Sequence, residues 1–455
     1  MASIRKRGKN FQIRVSCGNG PDGKPKYEPM TYKPEPGMTE RQKWKEAERQ
    51  AVLFEDKCKN GLCLDESMKL YEFIEKWFSD YGEQQLKART LYRYKDHSKR
   101  VIDALGHIRL SQIRPHHLIE FYNMLQKNNI RLDMKYTAVK DIRSLITAKN
   151  LTQAEFCRLA DIGEETLRTA IRGKNVAKQT ADKIQDALDN KTIFRVSDNT
   201  PKKLSNKTIR NYHAFISSVL STAVNWQLIP SNPCERVKPP KVPKKEAEYM
   251  EDYEAQDMLD QLSKRPLVLQ VLVVLVTVTG MRRGELGGLE WIDIGFENCL
   301  INVERASLYI PHIGIFDDTP KNESSKRIMK VPKICIDLLK RLKTEQDKLR
   351  QLMGDQWHES GKVFVQRNGK PIHPDTLTKM FKKFADECGD PTIHLHSMRH
   401  TNASLLIAGG TNLQTVAKRL GHSSVATTET IYSHAIRKAD EKASSVIDMT
   451  LDIKL

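Results

Sequence analysis

The sequence lacks the usual marks of a secreted, membrane-spanning or metal-binding protein. Its eight cysteines are scattered through 455 residues without a CxxC pair, so neither a zinc site nor a disulfide framework is indicated. The start, MASIRKRGKN, has no apolar segment of the kind that signal peptides carry. The longest apolar run, residues 266–280, is shorter than the roughly 20 residues that a membrane span needs. Its β-branched residues allow a strand, but its length favours a buried helix.

Acidic residues are also in short supply. The chain has 75 lysines and arginines against 57 aspartates and glutamates, which gives a formal net charge of +18. A protein this basic is expected to bind a polyanion, and such binding weakens as salt is added. An anionic membrane surface is the alternative partner, but no basic amphipathic anchor or lipidation motif supports it.

The chain does contain a group of anion-binding and nucleophilic residues near its end. His396 and Arg399 are one helical turn apart, so their side chains can converge on one anion. His422 follows in a Gly-His pair, and Tyr432 comes ten residues later. Arginine matches phosphate oxygens in a bidentate way, and a tyrosine hydroxyl can act as a nucleophile without a metal. His394 has no further metal ligand at suitable spacing, so we interpret it as structural.

Two upstream segments add cations to this group. Arg282 follows a Thr-Gly pair, and only that register favours it over its neighbour Arg283. Lys321 lies on a turn between two strand-like runs, with Lys326 and Arg327 as competing candidates for the same role.

The order and local context of these residues resemble the tyrosine recombinases, the phage integrase family, and within it the integrases of phages and conjugative transposons. The matching set is Arg282, Lys321, His396, Arg399, His422 and Tyr432. The resemblance implies that Tyr432 forms a 3′-phosphotyrosyl link with DNA while the two arginines stabilise the phosphate charge. His396 would accept the tyrosine proton or bind the phosphate, and His422 would add a hydrogen bond. Lys321 would protonate the leaving 5′-oxygen, and His400 would orient its neighbours.

The same resemblance implies the biological setting. Four copies of the chain would assemble on two DNA duplexes, exchange strands through a Holliday junction, and integrate or excise a mobile element. No metal or other cofactor is expected. An excision factor and a DNA-bending protein are further partners that the family implies. The expected location is the bacterial cytoplasm, in association with the nucleoid.

The predicted fold is multidomain and mainly α-helical, with small β-sheets. An N-terminal three-stranded sheet backed by one helix resembles the arm-site DNA-binding domain of the family, although a solvated basic hairpin is the alternative. The predicted divisions are residues 1–64 (arm-site domain), 65–134 and 196–236 (helical core-binding domain), 135–195 (inserted domain), 237–248 (basic, proline-rich linker) and 249–455 (mixed α+β catalytic domain).

The segment 135–195 interrupts the family pattern. Thr152 and Glu155 have the spacing of a capping box, and a tight turn at residues 161–163 precedes a second short helix. Two helices joined in this way resemble the helix-turn-helix of phage repressors. The second helix begins Gly-Glu-Glu, which stabilises a helix start but is poor for approaching phosphates. DNA reading is therefore the favoured role, with protein docking or a structural role left open.

Basic residues in three regions are the predicted DNA contacts. They are Arg5, Lys6, Arg7, Lys9, Arg14, Lys24 and Lys26 near the start, Arg168 and Arg172 in the insertion, and Lys238, Lys241, Lys244 and Lys245 in the linker. Two rival functions remain at this point. One is a type IB topoisomerase that relaxes a single duplex, and the other is a helix-turn-helix transcription regulator with an inert catalytic domain.

Overall fold

The computed structural model describes residues 2–19, 24–59, 68–127, 135–197, 203–243, 248–318 and 325–432. The chain divides into two compact units, Met1–Pro243 and Lys244–Leu455, and the division falls within the predicted linker. No helix in these described ranges is long and apolar enough to cross a membrane.

The first unit begins with an antiparallel three-stranded sheet and one helix. Their bounds are β1 Ser3–Arg7, β2 Asn10–Asn19, β3 Pro25–Tyr32 and α1 Glu40–Lys59, with strand order β1-β2-β3. Alternate residues of β2, from Phe11 to Val15, are buried beneath α1, which confirms the predicted sheet and helix. Trp44 on α1 is 40% exposed and meets the Phe11 ring edge-on. Cys58 is disulfide-bonded, which the cysteine spacing did not indicate.

A helical bundle follows and is completed only after the insertion. Its helices are α2 Leu70–Trp77, a π-helical turn Phe78–Gly82, α3 Glu83–Gln85, α4 Ala88–Leu105 and α5 Pro115–Leu125, and the last helix of the bundle is Asn206–Asn225. Residues from both sides of the insertion share one buried cluster. The indole Nε1 of Trp77 donates to the Thr222 hydroxyl at 2.9 Å, across 145 residues of sequence. The two segments therefore fold as one bundle.

The insertion has a hydrophobic cluster of its own, which extends from Ile142 to Phe194. Its elements are β4 Lys135–Ala138, α6 Ile142–Ala148, α7 Gln153–Leu159, α8 Glu164–Ile171, β5 Val176–Ala177, α9 Lys178–Ala187 and β6 Phe194–Val196, and α10 is the bundle helix Asn206–Asn225. The predicted capping box is present, because Thr152 and Glu155 exchange hydrogen bonds at the start of α7. The small sheet, with strand order β5-β4-β6, was not predicted.

The second unit is built around a buried apolar helix. Its helices are α11 Asp252–Asp260, α12 Leu267–Thr279, α13 Arg283–Gly288, α14 Lys333–Met353, α15 Pro374–Glu387, α16 Ser397–Ala408, α17 Leu413–Leu420 and α18 Val425–Ile431. The helix α12 contacts α14, α15 and α16, which confirms that residues 266–280 form a core helix. Its mainly aliphatic side chains are buried on nearly every side, as expected for a helix that is hydrophobic all round.

Two small antiparallel sheets complete this unit. The strands are β7 Ile294–Gly295, β8 Leu300–Val303, β9 Ala306–Ile310, β10 Gly314–Asp318 and β11 Arg327–Lys330, arranged as β11-β8-β7 and as the hairpin β9-β10. The strands β7 and β10 and the long helix α14 were not predicted from the sequence. Residues 363–372 form a single β-bridge between Val365 and Pro371, with Gly369 at the bend.

Candidate active site

Two arginines from distant segments are held by the carboxyl ends of two helices. Arg399 is 2% exposed, and its guanidinium donates to the Gly280 carbonyl at 2.8 Å and to the Leu420 carbonyl at 2.5 Å. Arg282 donates to the Gly421 carbonyl at 3.0 Å. Both helices end in a left-handed glycine, Gly280 after α12 and Gly421 after α17. Helix carboxyl ends carry negative partial charge, so they stabilise the paired cations.

A buried carboxylate supports the same arginine pair. Glu285 is 3% exposed and accepts from Arg282 at 2.7 Å and from Arg327 at 2.8 Å. Burial raises the pKa of Glu285, but Arg327 and Arg282 outweigh that effect and leave its pKa lowered. Burial and the charge of Arg282 lower the pKa of Arg399 to about 9, which leaves its guanidinium charged at neutral pH. The site therefore keeps an excess of positive charge.

The tyrosine hydroxyl lies in the same site, against a histidine. Tyr432 is fully buried, and its hydroxyl is 3.0 Å from Nδ1 of His400. The His400 ring in turn meets the His396 ring edge-on, with 4.9 Å between centroids. Burial raises the pKa of Tyr432 to about 12, against the opposing charges of Arg399 and Arg282. The phenol is therefore protonated at neutral pH and needs a proton acceptor before it can attack.

His396 and His422, which lie in the same site, both have lowered pKa values. Burial, followed by the charges of Arg399 and Arg282, lowers the pKa of His422 to about 4. Burial and Arg399 also lower the pKa of His396. The Nδ1 atom of His422 lies 2.8 Å from the Thr428 hydroxyl, which orients its ring. A neutral imidazole offers one donor and one acceptor nitrogen, so each ring can still hydrogen-bond a phosphate.

The residues that the sequence offered as alternative members of the site make other contacts. Arg283 forms an ion pair with Asp375 on α15, away from the Arg282 contacts. His394 bonds the Ser397 hydroxyl at the start of α16, in keeping with a structural role. Arg327 forms a buried ion pair with Glu285, whereas Lys326 is exposed. The lysine predicted for this role, at position 321, lies outside the described residues, as do the basic residues at positions 244 and 245.

Two supporting residues were missed by the sequence analysis. Asn402 is buried on α16 and donates to the carbonyls of Thr277 and Val278, at 2.8 and 2.9 Å, in the last turn of α12. Arg419 donates to the carbonyls of Val278 and Lys330. Both residues act by joining helix ends that meet only in the folded chain. The spacing of residues in the sequence does not show which helix ends meet. His400 was noticed only as an orienting residue, although it contacts the tyrosine directly.

The other predicted DNA contacts are distributed over the first unit. Arg5, Arg7 and Arg14 share the face of the first sheet that points away from α1, because they lie opposite Gln12, Asn10 and Ser3 in the ladder. Lys6 lies on the helix side and pairs with Glu40. Lys9, Lys24, Lys238 and Lys241 are exposed, and the side chain of Lys26 lies outside the described residues. No group of His, Cys, Asp and Glu able to hold a metal ion occurs in the described ranges.

Family matches cover the regions that carry this geometry. Residues 248–438 match the phage integrase family, and residues 69–126 match the N-terminal SAM-like domain of phage integrases. The chain belongs to the phage integrase family. Residues 135–195 lie outside both matches.

Individual relatives agree with this assignment. The integrase is 28% identical to the ICEBs1 integrase of Bacillus subtilis (strain 168) over 245 residues, which are 54% of this chain and 66% of that protein. It is 31% identical to a XerC-like tyrosine recombinase of Caldanaerobacter subterraneus subsp. tengcongensis over 264 residues, with the same two coverages of 54% and 66%. The match thus spans just under two thirds of the length of these relatives.

A solved structure shares the fold. The Tn1549 transposon integrase, in complex with transposon right end DNA, superposes with a TM-score of 0.54 at 18% identity. The superposition covers 84% of this integrase and 100% of that chain.

Proposed function

We propose that this phage integrase is a tyrosine recombinase that cuts and rejoins duplex DNA through a covalent phosphotyrosine. One observation carries the proposal. The guanidinium groups of Arg282 and Arg399 and the hydroxyl of Tyr432 belong to one site, although Arg282 precedes the other two residues by more than a hundred positions. Cations gathered around a nucleophile suit a phosphodiester, whose charge increases in the transition state.

Cleavage exchanges one phosphoester for another. The Tyr432 oxygen attacks the scissile phosphorus, the bond from phosphorus to the 5′-oxygen breaks, and a 3′-phosphotyrosyl link remains. Arg282 and Arg399 hold the non-bridging oxygens, with neutral His396 and His422 as further hydrogen-bonding groups. Because the bond energy is kept in the phosphotyrosine, a 5′-hydroxyl of a second duplex can reverse the reaction without ATP.

Two proton transfers accompany this step. The phenolic proton of Tyr432 passes to a histidine, and the contact at 3.0 Å favours His400 Nδ1 for this transfer, with His396 as the next ring. This requires the His400 tautomer whose proton sits on Nε2. The leaving 5′-oxygen needs a proton donor, for which we propose Lys321.

The family and its named relatives also support a proposal for the biological role, partners and location of the protein. The Tn1549 integrase is that of a transposon, so we propose that this protein integrates and excises a mobile element of a similar kind. A homotetramer on two duplexes, a Holliday junction intermediate, an excision factor and a DNA-bending protein belong to the same proposal. Since chromosomal DNA would be its substrate, we propose that the protein acts in the bacterial cytoplasm, at the nucleoid.

The basic residues outside the active site would hold the DNA backbone. Arg5, Arg7 and Arg14 form one exposed row on the first sheet, which suits the phosphates of an arm site. Lys238 and Lys241 lie on an extended, proline-rich segment that can follow a duplex. Phosphate contacts of this kind fix the position of a protein on DNA without reading its sequence.

The decisive experiment removes the nucleophile. Tyr432→Phe is expected to abolish covalent protein–DNA adducts on a nicked suicide substrate made from the element's own ends, while DNA binding is retained. Denaturing gels report the adduct, and gel-shift assays report binding. Tyr309→Phe is the matched control, because Tyr309 is 40% exposed on β9 and should leave the adduct unchanged. An adduct that survives in Tyr432→Phe would assign the nucleophile to another residue.

A further inference from the structure

The inserted domain has two faces of different charge. The amino end of α8, the helix expected to read DNA, begins with Glu164 and Glu165, which are both exposed. The only basic residue within α8, Arg168, contacts Glu164 at 3.3 Å and Glu165 at 3.8 Å. The start of this helix therefore presents two carboxylates and one neutralised arginine. Such a surface repels a phosphate backbone at close range.

Another part of the domain carries basic residues and no acidic ones. Three segments, 135–140, 172–180 and 192–197, meet in the sheet formed by β4, β5 and β6. None of these segments contains an aspartate or a glutamate. Their basic residues are Lys135, Lys140, Arg172, Lys174, Lys178 and Arg195. These three segments are therefore basic without interspersed acidic residues, unlike the rest of the domain.

The strand register places part of this charge on the outer face of the sheet. Lys135 lies opposite Ala177, and Thr137 lies opposite Arg195. Paired residues share a face, and residues two apart along a strand share it too. The intervening residues, Tyr136, Val176 and Phe194, pack into the core of the domain. Lys135 and Arg195 are exposed on the opposite side.

Two further lysines flank this sheet. Lys174 is exposed on the turn before β5, where Asn175 accepts a hydrogen bond from the Thr137 hydroxyl. Lys178 is exposed and is the first residue of α9. We call Lys135, Lys174, Lys178 and Arg195 the basic face. None of its three lysines forms a side-chain ion pair within the described part of the chain.

The start of α9 gives an independent indication of an anion. Its cap residue, Ala177, provides no side-chain hydrogen bond, and the first turn contains no acidic residue. The first backbone N–H groups of a helix lack partners within the helix, and a lysine there opposes the helix dipole. The starts of α7 and α8, in contrast, carry Glu155, Glu164 and Glu165. A phosphate at the start of α9 would satisfy these N–H groups and offset the Lys178 charge.

We infer that the inserted domain holds the backbone of duplex DNA through the basic face, and not through the acidic start of α8. The inference rests on the proposed recombinase function. The contact is with phosphates, so the domain strengthens the grip on DNA beside the recombination site without adding base recognition.

The test measures the salt dependence of binding by the full-length integrase. The variant Lys135→Gln/Lys174→Gln/Lys178→Gln removes three charges from the basic face. The probe is a fluorescent random-sequence duplex of about 40 base pairs, and the measured quantity is the slope of log K against log salt concentration. Each lost phosphate contact lowers that slope by about 0.9, so a decrease of about 2 to 3 is expected. The charge-preserving variant with arginine at the same three positions should keep the wild-type slope.

Two matched variants decide between the faces. Arg143→Gln/Arg158→Gln/Lys191→Gln removes the same charge from exposed positions of the domain outside the basic face, and its slope should fall by less than one third as much. Glu164→Gln/Glu165→Gln should leave binding unchanged. The inference would be overturned if the salt slope fell equally in the two triple variants, or if it did not fall in the first of them. Clearly tighter DNA binding by the glutamate variant would also overturn it. Thermal unfolding of every variant verifies that it is folded.

Adduct formation separates this result from the function itself. Wild-type integrase that forms no adduct on a suicide substrate contradicts the recombinase proposal. An unchanged salt slope in the first triple variant, with normal wild-type adduct formation, contradicts only the role of the basic face.

Discussion

At the scale of single residues, the active site depends on an uneven balance of charge. Arg282, Arg399 and Arg327 surround one buried carboxylate, Glu285, and two histidines nearby are held neutral. The excess positive charge has no protein partner to cancel it among the described residues. It is available to a bound phosphate, which brings the missing negative charge with it.

The choice between two adjacent arginines can be tested directly. Arg282→Ala removes a guanidinium from the site, and the loss should slow strand cleavage by about 10²–10³-fold, as for other transition-state donors. Arg283→Ala breaks only a partly exposed pair with Asp375 and should change the rate by less than about threefold. Single-turnover cleavage of a suicide substrate gives both rates. A larger effect from Arg283→Ala would show that the register is wrong.

The neutral state of His422 has a consequence for stability. Its pKa in the folded protein is about 4, below the value of about 6.5 in an unfolded chain. The unfolded chain therefore takes up the proton first as pH falls. The stability linked to His422 is complete above about pH 6.5 and is lost as pH falls through about 4.

Urea unfolding measures this linkage. Between about pH 7 and about pH 4.5, the wild-type free energy of unfolding should decrease more than that of His422→Gln, because the variant lacks the titrating group. Other buried histidines titrate equally in both proteins and cancel in the comparison. Identical pH dependence in the two proteins would contradict the lowered pKa.

The residue types of the candidate site are visible in the sequence, whereas their contacts are not. The spacing of His396 and Arg399 is local, so a helix pattern reveals it. Tyr432 contacts His400, and Asn402 donates hydrogen bonds to the last turn of α12. Both contacts join elements that are distant in sequence. The partners of such groups depend on tertiary packing, which residue spacing does not encode.

At the scale of elements, the carboxyl end of α12 is the most constrained point in the site. Gly280 has a φ of +62°, and its carbonyl accepts from Arg399. A Cβ there would lie 2.6 Å from a Leu420 methyl carbon and 2.9 Å from the Asn402 side-chain oxygen. Glycine is therefore required both by the backbone conformation and by the closeness of α16 and α17.

The variant Gly280→Ala should reduce both stability and activity. We expect a loss of about 2–4 kcal/mol in the free energy of unfolding, from a left-handed alanine and from overpacking. Cleavage should slow further, because the Arg399 acceptor moves. Gly389→Ala is the control, since Gly389 also has a positive φ of +90° but open space around it, and should cost only about 1 kcal/mol. Equal losses in the two variants would show that the crowding is unimportant.

Length helps an element to be predicted but was not sufficient, because the 21-residue helix α14 was not predicted. The apolar helix α12 and the amphipathic helices of the bundle have enough residues for a hydrophobic pattern to emerge. The strand β5 has two residues and β7 has two, so neither has a period of its own. Pairing with β4 and β8 makes them strands, and pairing is a property of the folded chain.

At the scale of the whole molecule, the inserted domain is separable from the bundle that it interrupts. No residue from 135 to 197 belongs to the buried cluster of the bundle. The backbone N–H of Ser197 donates to the Lys135 carbonyl at 2.8 Å, so the two ends of the insertion are adjacent. A short connection can therefore replace it.

Deletion of residues 135–197, with a short Gly-Ser linker in their place, tests this independence. The remaining protein should unfold cooperatively, keep the circular dichroism of the bundle, and form the Tyr432 adduct. Its binding should become less sensitive to salt, since the basic face is gone. A deleted protein that no longer unfolds cooperatively would show that the bundle depends on the insertion.

The carboxyl end of α17 contacts both arginines of the site and packs beside the tyrosine. The carbonyls of Leu420 and Gly421 each hold one of the two arginines, and the Leu420 side chain packs in the same small cluster as Tyr432. A shift of this helix end would remove one acceptor from each guanidinium group and loosen the packing around the phenol at the same time. The positions of both arginines and of Tyr432 therefore depend on the same short segment, and a substitution at Leu420 is expected to disturb all three together.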